Sequence, residues 1–503
     1  MSRRLRAFRR WMRSQGIECS NALEIIDGGY EQGFSVKALC GLAEGDLVAT
    51  IPKSACLTIQ TSAARDIIED AGLAGLLGLA VALMYEKSLG EASAWAGYLQ
   101  LLPDRECVPL VWTLDELDSL LYGTELHKAV KEDKNLFYED WKECILPLIA
   151  NGPFKLNPNC FGVEQYFAAR SLISSRSFEI DDYHGSGMVP LADLFNHKTG
   201  DENIHFTSVS SHSGSGSDND LEDNRDGSCI NKLSTEDHHF RENTSSSSLS
   251  GKYSLNDNHV GYSPNYEDDP TALEIIIVKA VEAGAEVFNT YGSMGNAALL
   301  HRYGFTEPDN PFDIVNIELD TVLEWTKSLY SSRYVRARLS LWRRLRFSGC
   351  VGLTSEYFEI SSDGKPQLDL LILLYFIFLT EEAYHKLNQM LPSFGNISEA
   401  IPIILLETNN LKFPPETPEV GNELLLTDMV REALKSLADI RESFYGESIE
   451  DDIEVLKRGC LMLERKLYHS LTLRMSETRI IQKLRAYASP ASRRTKRTYT
   501  RKR

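Results

Sequence analysis

Three stretches of the chain hold residues able to do chemistry. In GSGMVPLADLFNHKTG, Asn196 and His197 follow an apolar, strand-like run that also contains Asp193. In AGAEVFNTYGSMGNAALLHRYGF, Tyr291 and Tyr303 stand twelve residues apart around a helical turn, with Phe305 just beyond. In YEQGFSVKALCGLAEGDLVATIPK, a glycine-containing entry to a hairpin, Gln32, Gly33, Phe34 and Ser35 are consecutive. An amide, an imidazole and two phenols offer oriented hydrogen-bond dipoles. The eleven histidines show no metal-ligand spacing, and no C-x-x-C pair occurs among the nine cysteines, so no metal centre is expected. The phosphate loop G-x-x-x-x-G-K-[ST], the G-x-G-x-x-G turn, the H-E-x-x-H helix and the G-x-S-x-G elbow are all missing. Hydrolase and nucleotide-driven activities lose ground accordingly. Each residue taken alone also has a plainer reading. Asn196 and His197 could be a satisfied core pair, Tyr291 before Gly292 an aromatic at a strand end, Tyr303 and Phe305 the packing of a helix on a sheet, and Trp112 a core residue.

These residues need elements to hold them. Around the first helix, RRLRAFRRWMRSQG, Leu5, Phe8, Trp11 and Met12 recur at helical spacing among six arginines. Such a start could target an organelle, but its apolar stripe runs straight into GIECSNALEIIDGGY without a cleavable-looking Ser-rich stretch. A docked helix is the favoured reading. Short β-like runs punctuated by glycine follow from Gly33 to Thr58, helical spacing from about Ala64 through Tyr122 and from Lys131 through Ala150, and a second strand-rich zone from about Gly187 to Thr207. LEIIIVKAVEAGAEVFNTYG reads as two strands joined at Ala283 and Gly284. From about Val322 the pattern is helical and suggests a separate all-helical domain.

At 503 residues the chain has room for two to three domains at about 150 residues each. Its formal charge of -19 argues against a protein that coats nucleic acid over its whole surface. Residues 208–270 contain 15 serines, 12 acidic and 4 basic residues, too few large apolar groups to offset the entropy of ordering. That stretch reads as a disordered insertion and carries much of the net charge. Singly scattered cysteines point to a reducing compartment. The longest apolar run, Leu370 to Leu379, is ten residues, half of what a spanning helix needs at about 20. No membrane association is expected. Seven of the last eleven residues are basic, Arg493, Arg494, Lys496, Arg497, Arg501, Lys502 and Arg503; they read either as a nuclear-import or nucleic-acid tail or as a merely solvated end.

The three stretches in their order along the chain, together with WAGYLQLLPDRECVPLVWTLDELDSLLYGTEL and RSLISSRSFEI, resemble a SET-domain methyltransferase of the Rubisco large-subunit lysine methyltransferase type, over nearly the whole chain to about residue 485. The resemblance implies an α+β fold: a β-rich SET domain with a knot-like crossing, split by a helical insert and followed by an all-helical substrate-binding domain. The domain limits that follow are 1–30 for an N-terminal helical segment, 31–310 for the SET domain with its insert at about 62–165, 311–487 for the helical domain and 488–503 for the basic tail. The implied cofactor is S-adenosyl-L-methionine. The family motif E-G-x-G falls on Gln32, Gly33, Phe34 and Ser35, so the acid and the second glycine are replaced; glycine lets a main chain approach a ligand closely, and the departure bears on cofactor affinity. Asn196 and His197 match the pair beside the cofactor, Phe305 the aromatic flanking the adenine, and Tyr291 the tyrosine at the transfer centre. Ser175, Arg176, Phe178, Asp193 and Tyr303 match the lysine channel, with Arg176 and Tyr303 also beside the cofactor, and Trp112 matches a substrate contact in the insert.

The residue types suit that chemistry. Methyl transfer from a sulfonium to an amine is an in-line displacement that needs alignment and dipoles, with neither a metal nor a covalent intermediate. A tyrosine of ordinary pKa about 10 is a poor base at neutral pH, so Tyr291 is expected to orient the amine and polarise the methyl group. The function implied is S-adenosylmethionine-dependent protein-lysine N-methylation, with a protein substrate presented to the helical domain and no nucleic-acid partner except through the tail. Two alternatives stand beside it: a protein-histidine methyltransferase of the same fold, and a catalytically weak adaptor that binds partner proteins. The compartment expected is nucleus or cytoplasm, the tail favouring the nucleus.

Overall fold

The computed structural model describes residues 2–29, 33–151, 156–208, 271–346, 357–390, 404–405, 423–446 and 465–489. Gln32, most of the acidic insertion and the basic tail lie outside the described residues. The chain divides into two compact units, one of residues 1–113, 129–294 and 298–305, the other of 114–128, 295–297 and 306–503. Residues 114–128 sit within the stretch read as the helical insert, yet they group with the second unit.

In the first unit the strands are β1 (Glu18–Cys19), β2 (Leu23–Asp27), β3 (Phe34–Ala38), β4 (Leu47–Pro52), β5 (Ser177–Asp181), β6 (Gly185–Met188), β7 (Ile204–Ser208) and β8 (Ala272–Ile277). They form a four-stranded sheet of order β1-β4-β8-β7 and two hairpins, β2–β3 and β5–β6, with every pair antiparallel. In β8, Leu273, Ile275 and Ile277 are buried while the residues between them are half-exposed, the period-two pattern of a strand with one face on the core. β4 buries Val48 and Ala49 in succession, which a register shift between Leu47 and Ala49 permits. β7 and β8 pair from Ile204 opposite Ile277 to Ser208 opposite Leu273, so the acidic insertion joins two adjacent, paired strand ends.

The second strand expected after Gly284 is laced in by backbone hydrogen bonds on both sides and forms no regular ladder. Gly284, at φ +85°, makes the turn. On one side Gly284 N–H donates to the Ala38 carbonyl, Ala38 N–H to that of Ala285 and Val287 N–H to that of Val36. On the other, Asn289 N–H donates to the Asn196 carbonyl, Lys198 N–H to that of Asn289 and Asn203 N–H to that of Phe288. Residues 284–289 thus run between β3 and the 196–203 stretch, with His197 and Asn289 bridged in parallel. This is the crossing expected from the sequence.

Helices cover these sheets. The first, Arg3–Ser14, is capped by the Ser2 hydroxyl and buries Leu5, Phe8 and Met12. Its Trp11 indole N–H donates to the Ala94 carbonyl at 2.7 Å, and a Cβ at Gly97 would lie 2.3 Å from the Trp11 side chain, so only glycine lets that side chain lie this close to the backbone. The docked-helix reading holds. The helix Gly75–Leu89 is apolar nearly all round and buries Gly78 through Met84 without a break, as a helix inside a core does.

The second unit has its own core, in which Leu370 through Ile377 of the helix Leu368–Ile377 are all buried. Around it pack the helices Leu319–Leu329, Ser332–Arg346, Asp428–Ser443 and Arg465–Tyr487. The expectation of an all-helical domain needs one correction. β9 (Val315–Glu318) and β10 (Tyr357–Ile360) form a two-stranded antiparallel sheet. β9 lies just ahead of the helical pattern, and β10 alternates buried Phe358 and Ile360 with half-exposed neighbours over only four residues, too short to stand out among helices. Among the described residues, no helix is long and apolar enough to cross a membrane.

Candidate active site

The residues singled out from the sequence converge in the first unit, where the crossing segment meets the end of β6 and the helix Asn296–Tyr303. Tyr291 N–H donates to His197 Nδ1 at 2.9 Å. That nitrogen therefore carries no proton, and Nε2 holds the hydrogen that reaches Thr199 Oγ1 at 3.0 Å. The Tyr291 hydroxyl donates to the Phe195 carbonyl at 3.0 Å, so both ends of this tyrosine are tied to the 195–197 backbone and ring. Its ring lies 5.0 Å from His197, 4.4 Å from Tyr303 and 6.4 Å from Phe305 between centroids. Four aromatic rings thus form one wall.

Asn196 points the other way along the crossing. Its side-chain NH2 donates to the Phe34 carbonyl at 3.2 Å and to Glu286 Oε1 at 2.7 Å, and so pins the turn that begins β3. In that turn Gly33 has φ +66°, a left-handed conformation that favours glycine, and no described residue stands within 4 Å of the place a Cβ would take. The main chain at Gly33–Phe34 is open on that side.

Behind the aromatic wall lies a buried charge network. Arg176, the last residue of the helix Val163–Arg176, donates from Nε to Glu106 Oε1 at 2.7 Å and from Nη1 to the Asp193 carbonyl and carboxylate at 3.2 and 3.3 Å. The Tyr98 hydroxyl donates to the other side of this cluster, Asp193 Oδ2, at 2.8 Å. Asp193 Oδ1 is buried and has no hydrogen-bond partner among the described residues. Burial pushes the Asp193 carboxyl above its usual range in spite of Arg176. Burial also works against the charge on Arg176, but Glu106 and Asp193 outweigh it and keep the guanidinium firmly protonated. Burial likewise drives the Tyr291 phenol well above its ordinary value, against the opposing charge of Arg176.

The remaining expected residues are dispersed. Ser175 precedes Arg176 in the last helical turn, and the ring of Phe178 on β5 lies tilted against Phe206, 5.1 Å between centroids. Trp112 is only 1% exposed, and its indole N–H reaches the Cys107 carbonyl. The Cys107 carbonyl would in turn stand 2.8 Å from a Cβ at Gly304, so the Trp112 loop backs the Tyr303–Phe305 turn from inside the unit. Four partners escaped the sequence reading: Tyr98, Glu106, Thr199 and Glu286. Each serves by holding another site residue. Tyr98 sits in the apolar WAGYLQLLP stretch and reads as core; nothing local marks its hydroxyl as the partner of an aspartate 95 residues away.

Comparison with known proteins follows this geometry. No family model matches the chain. It is 26% identical to the N-lysine methyltransferase setd6 of Salmo salar over 371 residues, covering 69% of each chain. It is 25% identical to ribosomal lysine N-methyltransferase 3 of Saccharomyces cerevisiae over 383 residues, 67% of this chain and 68% of that one. The setd6 enzyme of Danio rerio aligns over 97% of this chain and 96% of its own at 22% identity. Among solved structures, the SET domain of LSMT bound to lysine and AdoHcy superposes with a TM-score of 0.62 at 18% identity, covering 96% of this chain and 90% of that one. Rubisco LSMT bound to AdoMet gives 0.59 at 19% identity, covering 97% and 92%. At such identities the solved structures establish the fold: the chain has the fold of the Rubisco LSMT SET-domain structures, and the relatives similar to it in sequence are named as lysine methyltransferases.

Proposed function

We propose that the protein transfers a methyl group from S-adenosyl-L-methionine to the ε-amine of a lysine in a protein substrate. The observation that carries this reading is the convergence of Asn196, His197 and Tyr291 with Tyr303 and Phe305 at the crossing of three distant segments. The relatives named for lysine methylation and the likeness to structures holding AdoMet support it.

The residues present fit the cofactor. The open main chain beside Gly33 offers the close backbone approach that a ligand requires. Asn196 and His197 bring polar groups to the same crossing, and Phe305 brings an aromatic face beside His197, 6.0 Å between ring centroids. When bound, S-adenosylmethionine supplies an electrophilic methyl group on a sulfonium. Everything else is alignment by the chain. A lysine of ordinary pKa about 10.4 must shed a proton to water, which costs about 4–5 kcal/mol at pH 7. Tyr291 does not take that proton, because burial keeps its own phenol protonated. Its hydroxyl, fixed by Phe195, presents a set dipole, and Tyr303 walls the space beside it. Asp193, held by Tyr98 and Arg176, is closed off from an incoming donor and braces Arg176 behind the aromatic wall.

The second unit is proposed to present the protein substrate, and the basic residues at 493–503 to direct the protein to the nucleus. The test is incubation with labelled cofactor and a methylation-depleted proteome, followed by mass spectrometry of the labelled site. Labelled lysine is the expected result. Labelled histidine would move the target, and no label with intact cofactor binding would favour an adaptor.

A further inference from the structure

The loop that follows Pro103 brings a carboxylate to the candidate active site by two attachments. The Glu106 backbone N–H donates to Ser171 Oγ at 3.1 Å, and the Glu106 carboxylate accepts from Arg176 Nε at 2.7 Å. One residue is thereby fixed to the helix Val163–Arg176 at two points. The next residue meets the opposite wall. The Cys107 carbonyl would stand 2.8 Å from a Cβ at Gly304, between Tyr303 and Phe305, so Glu106 sits where the helix end meets the aromatic turn.

The charges there do not cancel. Arg176 is one cation between two carboxyls, Glu106 at 2.7 Å and Asp193 at 3.3 Å. The Asp193 side chain has no exposed surface, and its Oδ2 is shared by Tyr98 and Arg176. Glu106 keeps 18% of its side chain open. With both carboxyls ionised the trio carries one surplus negative charge, and Glu106 is the carboxylate that an incoming group can sense. Whatever the state of Asp193, loss of the Glu106 charge moves the sum by one toward positive. That sum is felt at the transfer centre, where Asp193 and Glu106 both oppose ionisation of the Tyr291 phenol and Arg176 favours it. Salt screens such partly buried charges far less than surface ones.

We propose that Glu106 is a specificity residue of this site, its carboxylate favouring a substrate side chain that enters as a cation, the ammonium of lysine, over a neutral chain of the same length. The assignment rests on the reading that lysine is the acceptor. At neutral pH that amine arrives protonated, its ordinary pKa being about 10.4, and it approaches a site that already holds a guanidinium. Glu106 offsets the repulsion. The same attraction opposes the next step, because a carboxylate that holds an ammonium also holds its proton. Affinity for the cation and the pKa of the bound amine are therefore linked, about tenfold in the one for each pH unit in the other.

The groups that face the Glu106 carboxylate are Arg176 from the helix Val163–Arg176, Asp193 from the turn after β6, with Tyr98 behind it, and Tyr291 from the crossing. Tyr291 and Arg176 hold their protons through the range in which the amine titrates.

The experiment measures binding of the full chain, with S-adenosylhomocysteine present, to acetylated, amidated Gly-Lys-Gly and to its norleucine counterpart by ligand-observed NMR. The chemical shift of the lysine ε-carbon, followed across pH, gives the pKa of the bound amine. Glu106→Gln keeps an acceptor for Arg176 and removes the charge. It should cut the lysine-to-norleucine affinity ratio about tenfold at neutral pH and lower the pKa of the bound amine by about one pH unit. Glu106→Asp, which keeps the charge, should retain most of the parent ratio. An unchanged ratio in Glu106→Gln, equal losses for the two peptides, or an unmoved amine pKa overturns the proposal. A chain that shows the paired shifts yet methylates nothing would leave this assignment standing and remove the functional reading; labelled lysine with an unchanged ratio in Glu106→Gln would do the reverse.

Discussion

Tyr291 concentrates the chemistry in one side chain because its two polar ends are both spoken for. The backbone N–H fixes the imidazole tautomer of His197, and the hydroxyl is set by the Phe195 carbonyl. Tyr291→Phe keeps the ring contact with Tyr303 and removes only the dipole. Loss of one preorganised dipole of the oxyanion-hole kind costs about 10²–10³ in kcat, so the variant should lose at least a hundredfold in single-turnover methylation while binding S-adenosylmethionine as before by calorimetry. The pH profile tests the same residue from another side. With the phenol held protonated by burial, the only titration that limits the rate is the substrate amine. The rate should climb about tenfold per pH unit between 7 and 9 and show no break belonging to Tyr291.

At the level of elements, the β5–β6 hairpin is held to the strand end after β4 by a buried ion pair. Lys53, 3% exposed, meets Asp181 Oδ2 at 2.5 Å, and the same carboxylate accepts from the backbone and ring of His184. Burial would raise the pKa of Asp181, but the hydrogen bonds from Lys53 and His184 outweigh it and hold the carboxyl well below its usual range. A carboxylate with a depressed folded pKa adds stability that is present above its unfolded value, about pH 4, and is lost as acid brings the pH down through the folded value. Asp181→Asn takes a carboxylate partner from the buried Lys53, and removing one member of a buried ion pair typically costs about 3–5 kcal/mol. Urea unfolding at pH 7 should show a loss of that order, and the gap from the parent should narrow toward pH 2. Because Phe178 is carried on the same hairpin, activity should fall with stability.

For the whole molecule, the acidic stretch is a separable piece. It joins the paired ends of β7 and β8, and closing a hairpin through a long loop costs only about 0.6 kcal/mol more for each doubling of length. Replacing 209–270 with a two-residue Asn-Gly turn should leave the melting temperature within a few degrees of the parent. The same change removes about eight net negative charges from a chain of formal charge -19. Electrostatic attraction of basic substrates acts mainly at low salt, so methylation of a basic peptide should drop several-fold at low ionic strength and match the parent at about 1 M salt. An unchanged rate at both salts would show that the insertion has no part in recruitment.

Much of the site is legible along the chain because its chemistry needs particular residue types at the ends of recognisable elements. Asn196 and His197 follow an apolar run, Tyr291 precedes a glycine turn, and Tyr303 and Phe305 close a helix. The docked first helix, the buried 368–377 helix and the strand alternation of 272–277 are legible too, since period and polarity are local properties. What the fold alone settled are the partnerships. Glu286 holds Asn196 across 90 residues, Tyr98 holds Asp193 across 95, and Arg441 reaches the Gly123 carbonyl across 318. The small β9–β10 sheet, too, pairs residues as far apart as Val315 and Ile360. Pairing over such separations depends on how buried polar groups find one another once the core has closed, and no local pattern of residues records that choice.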